Sequence, residues 1–555
     1  MKVFRSVDIT KGLINAISPS SGTYPEGAAW VSDNSRIDKN GVWNKGPSLG
    51  SRIVGVPSTV THPGTAGLHF ASVSILGSHK IVKNIGDTCV VEGPNGYVYF
   101  PIDGEAANAW SGTGDETDVG ITAPTSYPTI AISATGARQE SGIYYYMATI
   151  YNPDRDVESL PSYVGEHWVG RIYAYLSGTT NHPDQRIPDV PRLSGITSSG
   201  NKIRWYRSKV VKIKKGDTFQ TPQANMPTEF YFVGEVDTGS NFDDYAHDSE
   251  IATPENLYTG RGSKPVTDPD ILAVFDNKMF YFYAGKIRWS SSGRPEEVPQ
   301  EYSLTVRHDY SVGTWGQTAD DTFMQKLKKG TAVTSTVTKK PLLDTGVYAE
   351  ALIMPPELAG KTVKAAIEYN GKLWVFCETQ TGYIVPSASE GYKYVHVSGG
   401  IGAVNQWVLA KSPYGLFGAD QKGVWVVTES IRRLSDGIID IGDSDKSTYA
   451  YSISNSFGVW VDLLNEYLWC YTGSDSAKVQ LAYQADKERF VGPYALSVTG
   501  GCTYNLGDVS ECYMTSAKTP ILSTRSGAQT LKFWMGQSEY VKDNLKIEIL
   551  YDSIS

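Results

Sequence analysis

The chain has 555 residues, a formal net charge of −9 and 40% apolar residues. Because a single hydrophobic core stops growing at about 250–300 residues, this length predicts at least two domains. The acidic balance argues against a surface that binds nucleic acid along its whole extent, so any such contact would be local. The 55 glycines and 12% aromatic residues favour a β-rich chain with many turns.

The cysteines are odd in number and form no CxxC pair, which argues against a disulfide framework. We interpret them as free thiols of a protein made in a reducing cytoplasm, although the spacing of the last two would allow a bridge. They are Cys89, Cys377, Cys470, Cys502 and Cys512. The first residues lack the apolar stretch of a secretory signal, and no apolar run is long enough for a transmembrane helix, so no membrane insertion is expected.

Residues 1–50 are rich in proline, glycine and serine and predict an extended N-terminal segment without a core of its own. Such a segment must lie along the main body of the chain or along a neighbouring subunit. Trp30 and Trp43 are candidate anchors on a partner, together with Arg36 and Lys45. The alternative is that the tryptophans pack on the chain's own body.

Residues 51–120 predict a first unit of short strands, with a hairpin turn at Gly93–Gly96. Residues 121–260 hold longer apolar runs separated by turn signals, which predict an antiparallel β-sandwich of the fibronectin type III sort. We expect this sandwich to be inserted between two sheet units of the main body.

Residues 261–540 return to short hairpins, and residues 541–555 predict a C-terminal strand or tail. The clearest turn signal is Asn370-Gly371, because both residues tolerate a positive φ. With the first unit, these hairpins predict an all-β fold built as a β-propeller of about six blades, with other all-β arrangements as the alternative. Trp374, Phe376 and Trp425 are interpreted as packing between blades.

A long insertion is expected over residues 303–363, within the second run of blades. Residues 320–330 inside it predict a short helix, with acids at its start, lysines in its last turn and a glycine after it. Lys326, Lys328 and Lys329 are candidate contacts to a DNA backbone in a channel, and a solvated loop is the alternative.

Nothing in the sequence has the spacing of a catalytic, metal or cofactor site. The eight histidines are scattered without an HxH, HExxH or HxxxH pair, and no glycine-rich phosphate loop is present. The neighbouring acids Asp243-Asp244 and Glu296-Glu297 point to opposite sides if they lie on strands. We therefore expect no enzyme activity and no cofactor.

Several motifs follow one another in an order that resembles a family of phage proteins. They are Asn34–Arg36, Gly41–Trp43 and Lys45–Pro47, then Gly142–Tyr146, Arg288–Glu296, Ala365–Phe376 and Leu434–Ile438. Together they resemble the tail-nozzle (tail tubular protein B) and packaged-DNA stabilisation proteins of short-tailed bacteriophages. The resemblance covers about half of the chain, in patches, and Lys45–Pro47 departs from the arginine-containing form of the family.

The resemblance implies a structural protein of the virion tail, assembled in the host cytoplasm. It implies a ring-shaped tail hub, expected to be a homohexamer, that continues the portal channel, retains packaged double-stranded DNA and lets it pass during ejection. The implied partners are portal and adaptor proteins, tail fibre or tip proteins and non-specific DNA. Two alternatives stay open: a carbohydrate-binding or carbohydrate-cleaving propeller that acts as a receptor-binding tail component, and a secreted or cell-surface scaffold.

Overall fold

A computed structural model describes residues 120–135, 142–153, 156–169, 189–211, 227–262, 269–312, 327–388, 391–444, 449–450, 452–473 and 478–494. Outside these ranges it describes strands alone, between residues 29 and 118 and between residues 501 and 551. The chain divides into two compact units. Unit 1 comprises Met1–Thr117, Thr267–Ile287 and Ile353–Ser555, and unit 2 comprises Asp118–Val266 and Arg288–Leu352. Nearly all regular structure is strand, which confirms the all-β prediction.

The strands described before residue 120 are β1 (Ala29–Asp33), β2 (Ser35–Ile37), β3 (Trp43–Lys45), β4 (Ser48–Leu49), β5 (Thr61–His62), β6 (Thr65–Ala66), β7 (Leu68–Phe70), β8 (Val73–Ile75), β9 (Ile81–Ile85), β10 (Thr88–Gly93), β11 (Gly96–Pro101) and β12 (Thr117–Asp118). Next come β13 (Thr129–Thr135), β14 (Gly142–Asn152), β15 (Val157–Glu158), β16 (Val164–Val169), β17 (Asp189–Ser194), β18 (Lys202–Arg207), β19 (Tyr231–Asp237) and β20 (Phe242–Asp243). A one-turn helix α1 (Asp248–Ile251) and a 3-10 turn (Pro254–Asn256) follow.

The middle of the chain contributes β21 (Ile271–Phe275), β22 (Lys278–Tyr283), β23 (Lys286–Trp289), β24 (Tyr302–Val312), β25 (Leu327–Lys339) and β26 (Leu352–Ile353). The later strands are β27 (Ala365–Tyr369), β28 (Lys372–Phe376), β29 (Gln380–Ser387), β30 (Gly391–Gly399), β31 (Ala410–Ser412), β32 (Gly415–Asp420), β33 (Gly423–Val427), β34 (Ile431–Arg433), β35 (Ser452–Val461), β36 (Glu466–Thr472), β37 (Lys478–Gln484), β38 (Arg489–Tyr494), β39 (Gly501–Leu506), β40 (Val509–Met514), β41 (Thr519–Leu522), β42 (Gln529–Trp534) and β43 (Lys546–Tyr551). Three further 3-10 turns are Pro356–Leu358, Gln406–Val408 and Asp462–Leu464.

Four-stranded sheets recur along the chain. Among the described strands they are β9 to β12, β21-β22-β23-β26, β27 to β30, β31 to β34, β35 to β38 and β39-β40-β41-β4. Within unit 1 the first strands of several successive sheets are neighbours: β9 lies beside β21, β21 beside β27, β31 beside β35, and β35 beside β39. Strand β8 lies beside both β39 and β9, at the two ends of this series.

Aromatic side chains fill the space between successive sheets of unit 1. The ring of Phe376 on β28 stacks on Trp425 of β33, with centroids 4.7 Å apart. Phe417 on β32 stacks on Trp460 of β35 at 5.7 Å and on Tyr467 of β36 at 5.4 Å. These residues belong to one buried cluster that also holds Trp374, so Trp374, Phe376 and Trp425 are packing residues.

Tight turns connect the hairpins where the sequence predicts them. Asn370 and Gly371 have φ values of 51° and 68°, and Tyr369 pairs with Lys372 across the turn. Asp276 and Asn277 have φ values of 52° and 53° between β21 and β22. Positive φ at both central residues matches the twist of the flanking strands, which is why these residue types stand there.

The N-terminal segment pairs with strands of its own chain. β1 pairs with β42, and β4 pairs with β41, which places Ser48 opposite Leu522. The backbone of the described strands in this segment therefore lies along the main body of its own chain, which was one of the two expected positions. Trp30 lies in β1, Arg36 in β2, and Trp43 and Lys45 in β3, but their side chains lie outside the described residues.

The helix predicted over residues 320–330 is wrong where the structure describes it. Residues 327–330 belong to β25, in which Lys328 pairs with Ser311 and Lys329 with Tyr310 of β24. Capping and dipole signals contribute little free energy, and pairing along a long hairpin outweighs them. Residues 320–326, with Lys326, lie outside the described residues, as do the side chains of Lys328 and Lys329.

Unit 2 holds two sheets that share a core. One runs β19-β18-β14-β16-β24-β25, with β15 paired to β14, and the other runs β13-β17-β20. Strand β14 is buried on both faces, so its apolar run is continuous rather than alternating. One face contributes Tyr144, Tyr146, Ala148 and Ile150 to a core with Leu193 and Trp205. The opposite face contributes Ile143, Tyr145 and Met147 to a second core with Val164, Tyr206 and Val306.

A fully buried ion pair lies in unit 2. Arg207 Nη1 is 2.8 Å from Asp244 Oδ2, and neither side chain is exposed. The hydroxyl of Tyr146 donates to the same Oδ2 atom at 3.0 Å, and Arg207 Nη2 also donates to Asp248 at 2.9 Å. Asp243 points the other way and pairs with the half-exposed Arg192. The two adjacent acids, the last residue of β20 and the residue after it, thus bond different partners.

Replacing Asp244 with asparagine should lower the free energy of unfolding of unit 2 by about 3–5 kcal/mol, because Arg207 keeps a buried charge without its main carboxylate. Asp243→Asn is the matched control and should cost much less, since water screens its partly exposed ion pair with Arg192. Urea denaturation combined with hydrogen exchange at β14 and β18 measures both values. Equal losses in the two variants would contradict the argument.

His167 on β16 makes the stability of unit 2 depend on pH. Burial lowers its pKa from 6.5 to about 4, so the folded state binds the proton less readily than the unfolded state. The free energy of unfolding should therefore fall by up to about 3 kcal/mol as the pH drops from about 6.5 to about 4. His167→Gln should remove this part of the pH dependence. Unfolding curves of the same slope against pH in both proteins would refute it.

Candidate binding cavity of unit 2

A cavity of about 320 Å³ opens on unit 2, beside the second core. This volume lies at the lower end of the range for small-molecule sites. Its lining is mainly polar and comes from three parts of unit 2: the strands β15, β18 and β19, the segment from Glu255 to Gly262, and the turn that holds Arg294 and Glu297. Residues brought together from such separate stretches form a site that only the folded chain can build.

Glu158 is the centre of the strand side of the cavity. Its carboxylate accepts hydrogen bonds from the hydroxyls of Tyr206 and Thr149, each at 2.5 Å, and from Arg204 Nη1 at 3.1 Å. Arg204 Nε also donates to Glu235 at 3.2 Å, so the guanidinium bridges two acids. Donors and acceptors that bond one another in this way lose little further freedom when a ligand binds.

The segment from Glu255 to Gly262 is fixed against its neighbours through its backbone. The amide of Tyr258 donates to the carbonyl of Phe230 at 2.8 Å, and the amide of Leu342 donates to the carbonyl of Thr259 at 2.7 Å. Gly262 approaches the backbone of Leu160 so closely that a Cβ atom there would lie 2.6 Å from the Leu160 nitrogen. This contact requires glycine at position 262.

A tight turn presents Arg294 and Glu297. Ser291 Oγ donates to Glu297 Oε1 at 2.6 Å, and Arg294 Nη1 donates to Glu297 Oε2 at 3.1 Å. Arg294 Nη2 reaches Asp156 at 2.6 Å. Burial raises the pKa of Glu297, and the bonds from Ser291 and Arg294 oppose that rise.

Tyr258 has the most unusual polar group of the cavity. Its hydroxyl oxygen is buried and has no hydrogen-bond partner among the described residues. Burial raises its pKa well above 10, and the charges of Tyr302, Glu158, Tyr206 and Glu297 add to the rise. The hydroxyl therefore lies within electrostatic reach of the Glu158 and Glu297 carboxylates as a neutral group.

A Ser–His–Glu row elsewhere in unit 2 does not have the geometry of a nucleophilic triad. His308 Nε2 lies 2.9 Å from Ser335 Oγ, but His308 Nδ1 lies 3.8 Å from Glu166 Oε2. That second distance is too long for the hydrogen bond that would orient a catalytic histidine. Within the described part of the chain, no three His, Cys, Asp or Glu side chains are grouped as metal ligands would be.

The described residues that line this cavity include none of the candidates of the sequence analysis. The side chains of those candidates all lie outside the described residues: Trp30, Arg36, Trp43, Lys45, Lys326, Lys328 and Lys329. The missed residues include Glu158, Arg204, Tyr258, Arg261 and Arg294. The nearest sequence signal is Gly260-Arg261-Gly262, in which two glycines flank an arginine and indicate close backbone packing around a charged side chain.

The two buried cysteines in the described ranges, Cys377 and Cys470, are free thiols, in line with the interpretation of the sequence. Burial raises the pKa of Cys377, which disfavours its reactive thiolate form. In the part of the chain described here, no helix has the length and apolar character needed to cross a membrane.

No family model and no curated protein matches the chain. Among solved structures, PorZ, an essential bacterial surface component of the type-IX secretion system of Porphyromonas gingivalis, superposes with a TM-score of 0.15 at 9% identity over 85% of this chain. Two structures of an extracellular domain from B. thetaiotaomicron also superpose with low TM-scores. One, from a one-component system, has a TM-score of 0.18 at 9% identity over 74% of this chain, and the other, from a hybrid two-component system, has 0.24 at 10% over 96%.

The chain spans 52% of the length of PorZ, and 58% and 73% of the two B. thetaiotaomicron chains. TM-scores this low carry no argument for a shared fold or function.

Gly262→Ala should destabilise unit 2 by about 1–3 kcal/mol, because the added methyl group meets the backbone of Leu160 and the cavity wall must shift. Gly165→Ala is the matched control, since a Cβ atom there makes only ordinary contacts at 3.5 Å and beyond. Urea midpoints give the losses, and hydrogen exchange of residues 254–262 locates them. A loss in Gly165→Ala as large as in Gly262→Ala would count against a specific contact.

Proposed function

We propose that unit 1 is a β-propeller of about six blades, that unit 2 is an inserted β-sandwich of the fibronectin type III sort, and that the protein is a structural component of a phage tail. In this proposal it forms a ring-shaped tail hub or nozzle of a short-tailed bacteriophage. The ring continues the portal channel, retains packaged double-stranded DNA and lets it pass during ejection.

The order of the sheets in unit 1 is the observation that favours this function. Strands β9, β21 and β27 lie side by side, as do β31, β35 and β39, and β4 from the N-terminal segment completes the sheet formed by β39 to β41. Radial packing of such sheets covers their faces and keeps their edges short. A strand supplied from the opposite end of the chain would hold a closed ring of blades together.

The sheet order of unit 2 favours the sandwich. β19-β18-β14-β16 form one antiparallel series, and β24 joins this sheet in parallel beside β16. In the facing sheet β13 pairs antiparallel with β17. The antiparallel strands around a shared apolar core resemble the arrangement of fibronectin type III domains, and the parallel strand β24 departs from it. An inserted domain of this kind is also implied by the resemblance of residues 142–146 to the phage proteins.

The proposed partners are further copies of this chain in a hexamer, portal and adaptor proteins, and tail fibre or tip proteins in the virion tail. Lys326, Lys328 and Lys329, repeated around a ring, would contact the backbone of passing DNA. The net charge of −9 would keep that contact weak, so that the channel guides DNA without holding it.

Electron microscopy of the full-length protein, alone and with an adaptor protein, should show six-fold rings. Deleting residues 1–50 should abolish the rings and lower the unfolding midpoint, because β1 to β4 are lost and β41 and β42 each lose one of their two partner strands. Deleting residues 1–28 keeps all four strands and is the matched control. A monodisperse monomer by light scattering, without rings even when adaptor protein is present, would sink the proposal.

A further inference from the structure

The formal charges of the residues that line the cavity of unit 2 sum to zero. Arg204, Arg261 and Arg294 contribute three positive charges, and Glu158, Glu255 and Glu297 contribute three negative charges. Each guanidinium is already bonded to an acid: Arg204 to Glu158 and Glu235, Arg261 to Asp344 at 2.6 Å, and Arg294 to Glu297 and Asp156. The cavity therefore has no uncompensated positive charge that would select an anion.

Hydrogen-bonding capacity is nevertheless left over. Arg204 uses Nε and Nη1, Arg261 uses Nε and Nη1, and Arg294 uses Nη1 and Nη2, so each keeps one nitrogen that bonds no acceptor. The Tyr258 hydroxyl is buried without a partner and can donate or accept. The buried Tyr258 hydroxyl without a partner costs free energy, which a ligand that bonds it recovers.

Aromatic surface adjoins these polar groups. Phe232, Tyr206 and Tyr258 line the cavity, and the rings of Tyr206 and Tyr258 meet edge to face with centroids 4.9 Å apart. Here aromatic rings lie beside hydrogen-bonding groups that are held in place and whose charges cancel. Such a surface suits a ligand with C–H surfaces and many hydroxyl groups. A purely apolar ligand would leave the arginine and tyrosine groups desolvated and unpaired.

We propose that this cavity binds a neutral saccharide, with hydroxyl oxygens of the sugar accepting from the remaining guanidinium nitrogens and one hydroxyl bonding Tyr258. The volume of about 320 Å³ limits the bound part to a short saccharide. The inference concerns unit 2 alone and does not depend on ring formation, so its test and that of the tail function fail independently.

The test is binding of the full-length protein to a panel of neutral and carboxylated oligosaccharides, followed by titration calorimetry with the best neutral sugar. Tyr258→Phe should raise the Kd about tenfold, because one hydrogen bond to the sugar is lost. It should not lower the unfolding midpoint, since the hydroxyl has no partner in the free protein. This combination separates a binding role from a structural one.

Tyr302→Phe is the matched control, because Tyr302 packs edge to face on Tyr258 at 6.1 Å and does not line the cavity. It should leave the Kd within about twofold of the parent value, less than the loss of a single hydrogen bond. The inference is overturned if no neutral sugar binds at millimolar concentration. It is also overturned if only carboxylated sugars bind, or if Tyr258→Phe binds the sugar as tightly as the parent protein.

Discussion

Aromatic packing between successive sheets is the interaction on which unit 1 depends. A four-stranded antiparallel sheet has two faces, and in water an apolar face needs a cover. Phe376 stacks on Trp425 of the following sheet, and Phe417 stacks on Trp460 and Tyr467 of the sheet after that. Each contact removes large apolar surface from water on both partners, so the sheets stabilise one another in series.

Unit 2 meets the same requirement in a different way. Its central strand β14 has Tyr144 and Tyr146 on one face and Ile143 and Tyr145 on the other, and each face has its own core. The second core ends at Tyr206, whose ring packs inside while its hydroxyl bonds Glu158. The cavity begins where this apolar face gives way to bonded polar groups. Its shape is therefore set by core packing as much as by the ion pairs around it.

Local features of the fold could be predicted from the sequence, because their causes are local. Asn370-Gly371 specifies a turn through the φ values that the two residues tolerate, and the register follows from that turn. The helix predicted over residues 320–330 is wrong because its capping signals are local, whereas the structure there depends on a distant strand. Residues 327–330 pair with β24, which the local signals do not encode.

The cavity could not be predicted, because its members are far apart in the chain. Arg204 meets Glu158 across 46 residues, and Arg294 meets Asp156 across 138 residues. A lone arginine or glutamate in a sequence is usually a solvated surface residue. Only the pairing of strands and the close approach of Gly262 to Leu160 show that these residues share one space.

The pairing of the two ends of the chain constrains when unit 1 can be completed. Ser48 and Leu49 pair with Leu522 and Ile521, so β4 has no partner until nearly the whole chain has been made. Long-range pairing of this kind is slow, because loop closure costs entropy before the contact repays it. An unpaired strand edge meanwhile invites wrong partners. The prolines and glycines of residues 1–50 oppose such pairing, since proline lacks the amide that a sheet edge would bond. The low strand propensity of residues 1–50 indicates that the segment has no core of its own. It also suits a segment whose partner strands are synthesised last.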